Sequence, residues 1–123
     1  MNSVLIEVKI DSAAFSGMKA FLEEHSLSLE WQDEDKDFFG DDSHEDKFDS
    51  YCQFTGAVKR TYCMVYTRNA VLNEILHFHQ KVKVPAMILC QYQNDEGRGY
   101  IETFELKDGK GNQVAYQDNY DDD

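Results

Sequence analysis

The chain of 123 residues is poor in cysteine and proline and has no long apolar run. Its three cysteines, Cys52, Cys63 and Cys90, form no Cys-x-x-Cys pair, and an odd number disfavours a disulfide framework. No apolar stretch approaches the roughly 20 residues of a transmembrane helix, and charges interrupt the N-terminal MNSVLIEVKID where a signal peptide would be apolar. We therefore expect a soluble, cytoplasmic protein with structural thiols and no membrane contact.

Motifs for catalysis are also missing from the sequence. It contains no Gly-x-Ser-x-Gly elbow, no glycine-rich phosphate loop and no His-Glu-x-x-His. His77 and His79 are two residues apart on a predicted helix, so they point to different faces and cannot share a metal ion. His79 falls on the apolar face, as a buried structural histidine would. We expect no catalytic residues, no cofactor and no dedicated metal site, and hence a protein that is not an enzyme.

The stretch KRTYCMVYTR, residues 59–68, combines aromatic side chains on one predicted strand face with cations at both ends. RNA-recognition domains stack bases on such faces, but the glycine of their signature is missing here. Strong negative charge elsewhere would also repel phosphates. We therefore expect no direct nucleic-acid binding. Tyr62, Met64 and Tyr66 are interpreted as core side chains or, alternatively, as the interface of a structural or regulatory subunit.

Negative charge is abundant and unevenly placed. The formal net charge is −12, and residues 30–49 contribute −8 while residues 118–123, DNYDDD, contribute −4. The remaining 97 residues contain ten acidic and ten basic groups and are neutral as a set. A charge surplus that serves solubility alone would be spread more evenly over the surface.

A calcium loop is one interpretation of the acidic stretch. Asp33, Asp35 and Asp37 match the first three ligand positions of an EF-hand, but Phe38 stands where the loop needs glycine and His44 where it needs glutamate. The spacing therefore argues against an EF-hand. A divalent-metal-dependent binder or hydrolase that uses part of this cluster remains the third hypothesis.

A partner-binding surface is the interpretation that the sequence favours. Charge complementarity accelerates encounter with a basic partner, and buried aromatic anchors supply most of the affinity. Immunity proteins against nuclease toxins and phage inhibitors present carboxylates in this way, as nucleic-acid mimics. The expected partner-binding residues are Asp33, Glu34, Asp35, Asp37, Phe38, Phe39, Asp41, Asp42, Glu45, Asp46 and Asp49. The partner would be a basic protein, such as a nuclease toxin or a nucleic-acid-binding enzyme.

Hydrophobic periodicity predicts one α+β domain over residues 1–117, with an acidic insertion at about 32–49 and a frayed acidic tail at 118–123. Two helices would pack on one face of a mainly antiparallel sheet, in a ferredoxin-like βαββαβ order with an added C-terminal hairpin. The predicted strands are 4–10, 27–31, 51–57, 59–67, 86–92, 100–107 and 113–117, and the predicted helices are 12–25 and 68–83.

Overall fold

The structure, a computed structural model, describes residues 3–33, 56–93 and 99–118. In chain order the elements are β1 (Ser3–Ile10), α1 (Ser12–Glu24), β2 (Gln32–Asp33), β3 (Ala57–Met64), a 3-10 turn (Val65–Thr67), α2 (Arg68–Val82), β4 (Ala86–Gln93), β5 (Gly99–Lys107) and β6 (Lys110–Asp118).

The strands form one antiparallel sheet in the order β2-β3-β1-β4-β5-β6. Helix α1 connects β1 to β2 with β3 between them, and α2 connects β3 to β4 with β1 between them. These two split βαβ units are the ferredoxin-like arrangement, and the β5–β6 hairpin extends it beyond β4. The predicted α+β fold with an added C-terminal hairpin is confirmed.

Helix α1 begins and ends with recognisable capping groups. The Asp11 carboxylate accepts a hydrogen bond of 2.7 Å from the Ala13 amide, as expected of an N-cap. At the other end Ser26 has a φ of 67°, and the Ser26 and Leu27 amides donate to Glu23 and Leu22 in a Schellman motif. The chain then runs to Gln32 without strand pairing, so the predicted strand at 27–31 is wrong.

Strand β3 is continuous from Ala57 to Met64, so the predicted break between strands at 51–57 and 59–67 is wrong; residues 51–55 lie outside the described residues. Gly56 lies directly before β3, where a Cβ would come 2.8 Å from the Ile10 carbonyl carbon. The strand also ends three residues earlier than predicted, because Val65–Thr67 form a 3-10 turn that leads into α2.

A two-residue turn joins β5 to β6. Asp108 has a φ of 57° and Gly109 a φ of 80°, the combination of a type I′ hairpin. This turn places Lys107 opposite Lys110, so β6 begins three residues before the predicted strand at 113–117. A register shift opposite Thr103 and Phe104 leaves Val114 as an extra residue in β6.

The main core lies between the helices and one face of the sheet. Fully buried Ile6, Val8 and Ile88 on the strands meet Leu22 of α1 and Ile75 of α2. Part of the opposite face of the sheet is also buried, with a smaller cluster of Val58, Met87 and Leu89. Within the described residues, no helix has the length and hydropathy needed to cross a bilayer.

Candidate functional site

The acidic segment leaves and rejoins the described fold at one edge of the sheet. Strand β2 pairs with β3 so that Gln32 lies opposite Arg60 and Asp33 opposite Lys59. The chain returns at Gly56, immediately before the same strand. Residues 34–55 therefore connect two points at the β2–β3 edge. Gly56 is held close to the Ile10 backbone, which requires a residue without a side chain there.

Of the predicted partner-binding residues, the structure places only the backbone of Asp33, in β2. The others lie outside the described residues: Glu34, Asp35, Asp37, Phe38, Phe39, Asp41, Asp42, Glu45, Asp46 and Asp49. Their assignment to a partner-binding surface stays a prediction.

Trp31, which precedes the acidic residues, belongs to the core. Its ring meets the Phe15 ring of α1 edge to face, with centroids 5.5 Å apart. The Lys59 ammonium lies over the Phe15 ring, 5.3 Å from its centroid. Trp31 therefore fixes the chain to α1 just before the acidic residues begin.

The cations at the N-terminal end of residues 59–68 are engaged within the fold. Arg60 is 2% exposed and forms an ion pair of 3.2 Å with the fully buried Glu7, its direct neighbour on β1. The pair lies on the sheet face opposite the helices. Removing one partner of a buried ion pair leaves an uncompensated charge and typically costs about 3–5 kcal/mol. Arg60 is thus a structural cation and is not available to bind phosphate.

Arg68, at the start of α2, is engaged on the helix-covered face. Its guanidinium forms an ion pair with Glu102 of β5 and donates a hydrogen bond of 2.8 Å to the Asn69 side-chain oxygen. It also lies 5.6 Å from the centre of the Tyr100 ring. Gln113 of β6 donates to the second Glu102 oxygen at 3.1 Å. This polar cluster links α2 to the added hairpin.

The cluster forms one end of a cleft of about 320 Å³ between α2 and the hairpin. Leu72 and Leu76 of α2 face Phe104 and Leu106 of β5 across it. The volume falls at the lower end of the range found for small-molecule sites. The cleft could not be predicted from the sequence, because its residues come from separate segments, none of which carries a motif.

Tyr62, Met64 and Tyr66 do not share one strand face. Tyr62 and Met64 point to the same side of β3, whereas Tyr66 lies in the 3-10 turn after it. Tyr62 and Met64 are each 38% exposed and Tyr66 is 81% exposed. These side chains are at the surface, so their interpretation as core residues is wrong.

His79 is a buried structural histidine, as predicted. It is 3% exposed, and its Nδ1 lies 2.7 Å from the Val84 carbonyl, which can only accept a hydrogen bond. Nε2 therefore has no proton and accepts from the Gly109 amide at 3.0 Å. The neutral ring connects the end of α2 to the β5–β6 turn.

The other two described histidines meet a glutamate. His25 Nδ1 lies 2.6 Å from Glu74 Oε1, and His77 Nδ1 lies 3.5 Å from the same oxygen. Within residues 3–33, 56–93 and 99–118, no group of three or more metal-binding side chains has a geometry that could hold an ion. A metal site that draws on the acidic segment lies outside these residues.

The two described cysteines are free thiols in the interior. Burial raises the pKa of Cys90 to about 12, and the Arg68 guanidinium opposes the rise only in part. Burial raises the pKa of Cys63 as well, again against the influence of Arg68. Because the thiolate is the reactive species, both groups are unsuited to nucleophilic chemistry at neutral pH.

Comparisons with protein families, curated proteins and solved structures give no match for this chain. The placement of charge and the exposed surfaces of the fold are the features from which a function can be inferred.

Proposed function

We propose that this protein is a non-enzymatic binding protein whose carboxylate-rich segment occupies a basic, nucleic-acid-binding surface of a partner protein. An immunity protein against a nuclease toxin, or a phage or mobile-element inhibitor that mimics DNA, would have this activity. One observation carries the proposal: residues 30–49 hold a net charge of −8, while the chain without them and without residues 118–123 is neutral.

Concentrated charge suits recognition of a basic surface. A patch of carboxylates raises the association rate with a cationic partner and opposes binding to acidic ones. Phe38 and Phe39 lie among these carboxylates in sequence, and aromatic side chains supply much of the affinity of interfaces once they are desolvated.

The internal pairing of the framework cations supports the same proposal. Arg60 is paired with Glu7 and Arg68 with Glu102, so these two arginines do not offset the charge of the acidic segment. Both ends of residues 34–55 lie at the β2–β3 edge, which confines the connections of the segment to one side of the sheet. A concentrated negative charge that the framework arginines leave uncompensated is what a charge-selected partner would recognise.

The test is capture of a partner from a nuclease-treated native host extract at low and high salt. The first variant changes Asp33, Asp35, Asp37, Asp41 and Asp42 to asparagine. The control variant changes the same number of carboxylates outside residues 30–49 to amides: Glu23, Glu24, Glu96, Glu105 and Asp108. Captured proteins are identified by mass spectrometry, and release of duplex DNA or RNA from them is measured by fluorescence anisotropy.

We expect a basic partner that binds at low salt, releases nucleic acid on binding, and is lost with the first variant but kept by the control. Because both variants raise the net charge equally, a difference between them reports the position of the charge. Retention of the same partner by the first variant with unchanged salt dependence would refute the proposal.

A second candidate is a structural or regulatory subunit that binds through Tyr62, Met64 and Tyr66. Their exposure of 38%, 38% and 81% favours it, since exposed tyrosine and methionine are common at interfaces. Capture of a partner through this surface would be indifferent to salt. It would be lost when Tyr62 and Tyr66 are changed to serine, and the five asparagine substitutions would leave it intact.

A further inference from the structure

The edge of the sheet opposite the acidic segment is formed by β6. This strand is nine residues long and, within the part of the chain that the structure describes, it pairs only with β5. Six of the seven residues from 111 to 117 are exposed, and the stretch GNQVAYQ has neither charge nor proline. Natural edge strands are commonly protected by charged side chains, proline or short length. Residues 111–117 of β6 have none of these three protections, although the bulge at Val114 interrupts the edge.

We propose that β6 pairs with the β6 strand of a second copy, antiparallel and about a two-fold axis near Val114. The two sheets would then form one continuous sheet, and residues 110–113 of each copy would lie along residues 115–118 of the other. The Val114 bulge would lie at the axis, between two regular halves of the ladder. The interface is self-complementary, as a two-fold dimer requires.

The charge distribution of the chain favours a second copy as the partner of β6 and favours antiparallel pairing. Residues 118–123 carry a net charge of −4 directly after the exposed edge. Antiparallel pairing places the start of each tail beside the β5–β6 turn of the other copy, where Lys107 and Lys110 are exposed. Parallel pairing would instead place the two acidic tails side by side. The lysines at the start of β6 in one copy would thus meet the aspartates that follow β6 in the other copy, which makes the edge self-complementary in charge.

The position of the larger acidic segment is also compatible with a dimer. Strand β2, where that segment begins, lies at the opposite edge of the sheet from β6. At a strand spacing of about 4.8 Å, the two β2 strands of the dimer would be roughly 50 Å apart. This separation is several times the Debye length of about 8 Å at physiological ionic strength, so repulsion between the two segments would be screened. The two acidic segments would begin at the two outer edges of the dimer.

The first test is sedimentation velocity on the purified full-length chain over a concentration series. We expect a concentration-dependent shift to twice the chain mass of 14.3 kDa. Val114→Lys places two like charges near the axis and should weaken the dimer at least about tenfold. The matched control is Val82→Lys at the end of α2, where the valine is 38% exposed compared with 37% for Val114. The control should dimerise like the unchanged protein.

The second test is disulfide trapping of Val114→Cys in a Cys52→Ser background, in which the described cysteines are both buried. Mild oxidation should give a covalent dimer, and Val82→Cys should not. A monomer at every concentration would overturn the inference, as would a dimer that Val114→Lys leaves intact. The proposed function can fail independently, because salt-sensitive capture of a partner does not require the chain to dimerise.

Discussion

The histidine that joins α2 to the β5–β6 turn allows a quantitative prediction. Replacing His79 by leucine removes the donor to the Val84 carbonyl and the acceptor for the Gly109 amide. Each buried polar group left without a partner costs about 1–3 kcal/mol. Leucine is more apolar than histidine and recovers roughly 1 kcal/mol through burial. For the two groups together we therefore expect a loss of about 1–5 kcal/mol in the free energy of unfolding, centred near 3 kcal/mol.

Urea denaturation followed by circular dichroism measures this loss. For a chain of this size the midpoint should fall by roughly 1–2 M with little change in the slope. His77→Leu is the matched control: it makes the same substitution on the same helix, at a side chain that is 56% exposed. Its effect should stay within about 0.5 kcal/mol. Amide exchange gives a local check, since the Gly109 amide should exchange faster in His79→Leu.

Two results would refute the reasoning about His79. If His79→Leu and His77→Leu lower the free energy of unfolding equally, the hydrogen bonds of His79 to Val84 and Gly109 do not contribute to stability as the geometry implies. If His79→Leu loses stability while exchange at Gly109 is unchanged, the loss comes from packing and not from the link to the turn.

Three further predictions concern two glycines and a thiol. Gly56→Ala should destabilise the fold by about 1–3 kcal/mol, because its Cβ would come 2.8 Å from the Ile10 carbonyl carbon. Gly17→Ala should instead stabilise α1 by up to about 1 kcal/mol, since its Cβ meets only the Phe78 ring at 3.4 Å; thermal unfolding of both variants checks the opposite signs. For Cys90, the stability contributed by the neutral thiol is complete below pH 9.0 and is lost as the pH rises towards about 12. The free energy of unfolding, measured with urea, should therefore fall more steeply with pH over this window in the unchanged protein than in Cys90→Ala. Equal slopes would contradict the pKa assigned to Cys90.

Much of the fold follows from local patterns in the sequence. The alternation in β1, the cap at Asp11 and the apolar run of β4 were sufficient to place their elements within one residue. Residues 27–31 show why alternation can mislead. Leu27 and Trp31 are partly buried against the core, yet the chain there pairs with no strand, because periodicity reports burial and not backbone hydrogen bonding.

The polar features of the structure were less accessible from the sequence. A glutamate and a lysine at alternate positions of β1 normally indicate a solvent-facing side, but Glu7 is fully buried and Lys9 is 5% exposed. The partner of Glu7 is Arg60, which becomes its neighbour only through the β1–β3 register. Burial of this face depends on tertiary packing, which no local pattern specifies.

The central position of β1 has a consequence for the order of assembly. Val4 pairs with Cys63 on one side and with Tyr92 on the other, so the pairing of β1 is complete only after β4 has been synthesised. The β5–β6 hairpin, in contrast, closes through a two-residue turn. Contacts between distant segments slow folding more than local ones do. Removal of residues 3–10 would separate β3 from β4 and divide the sheet into two parts, so β1 governs whether the halves of this sheet join at all.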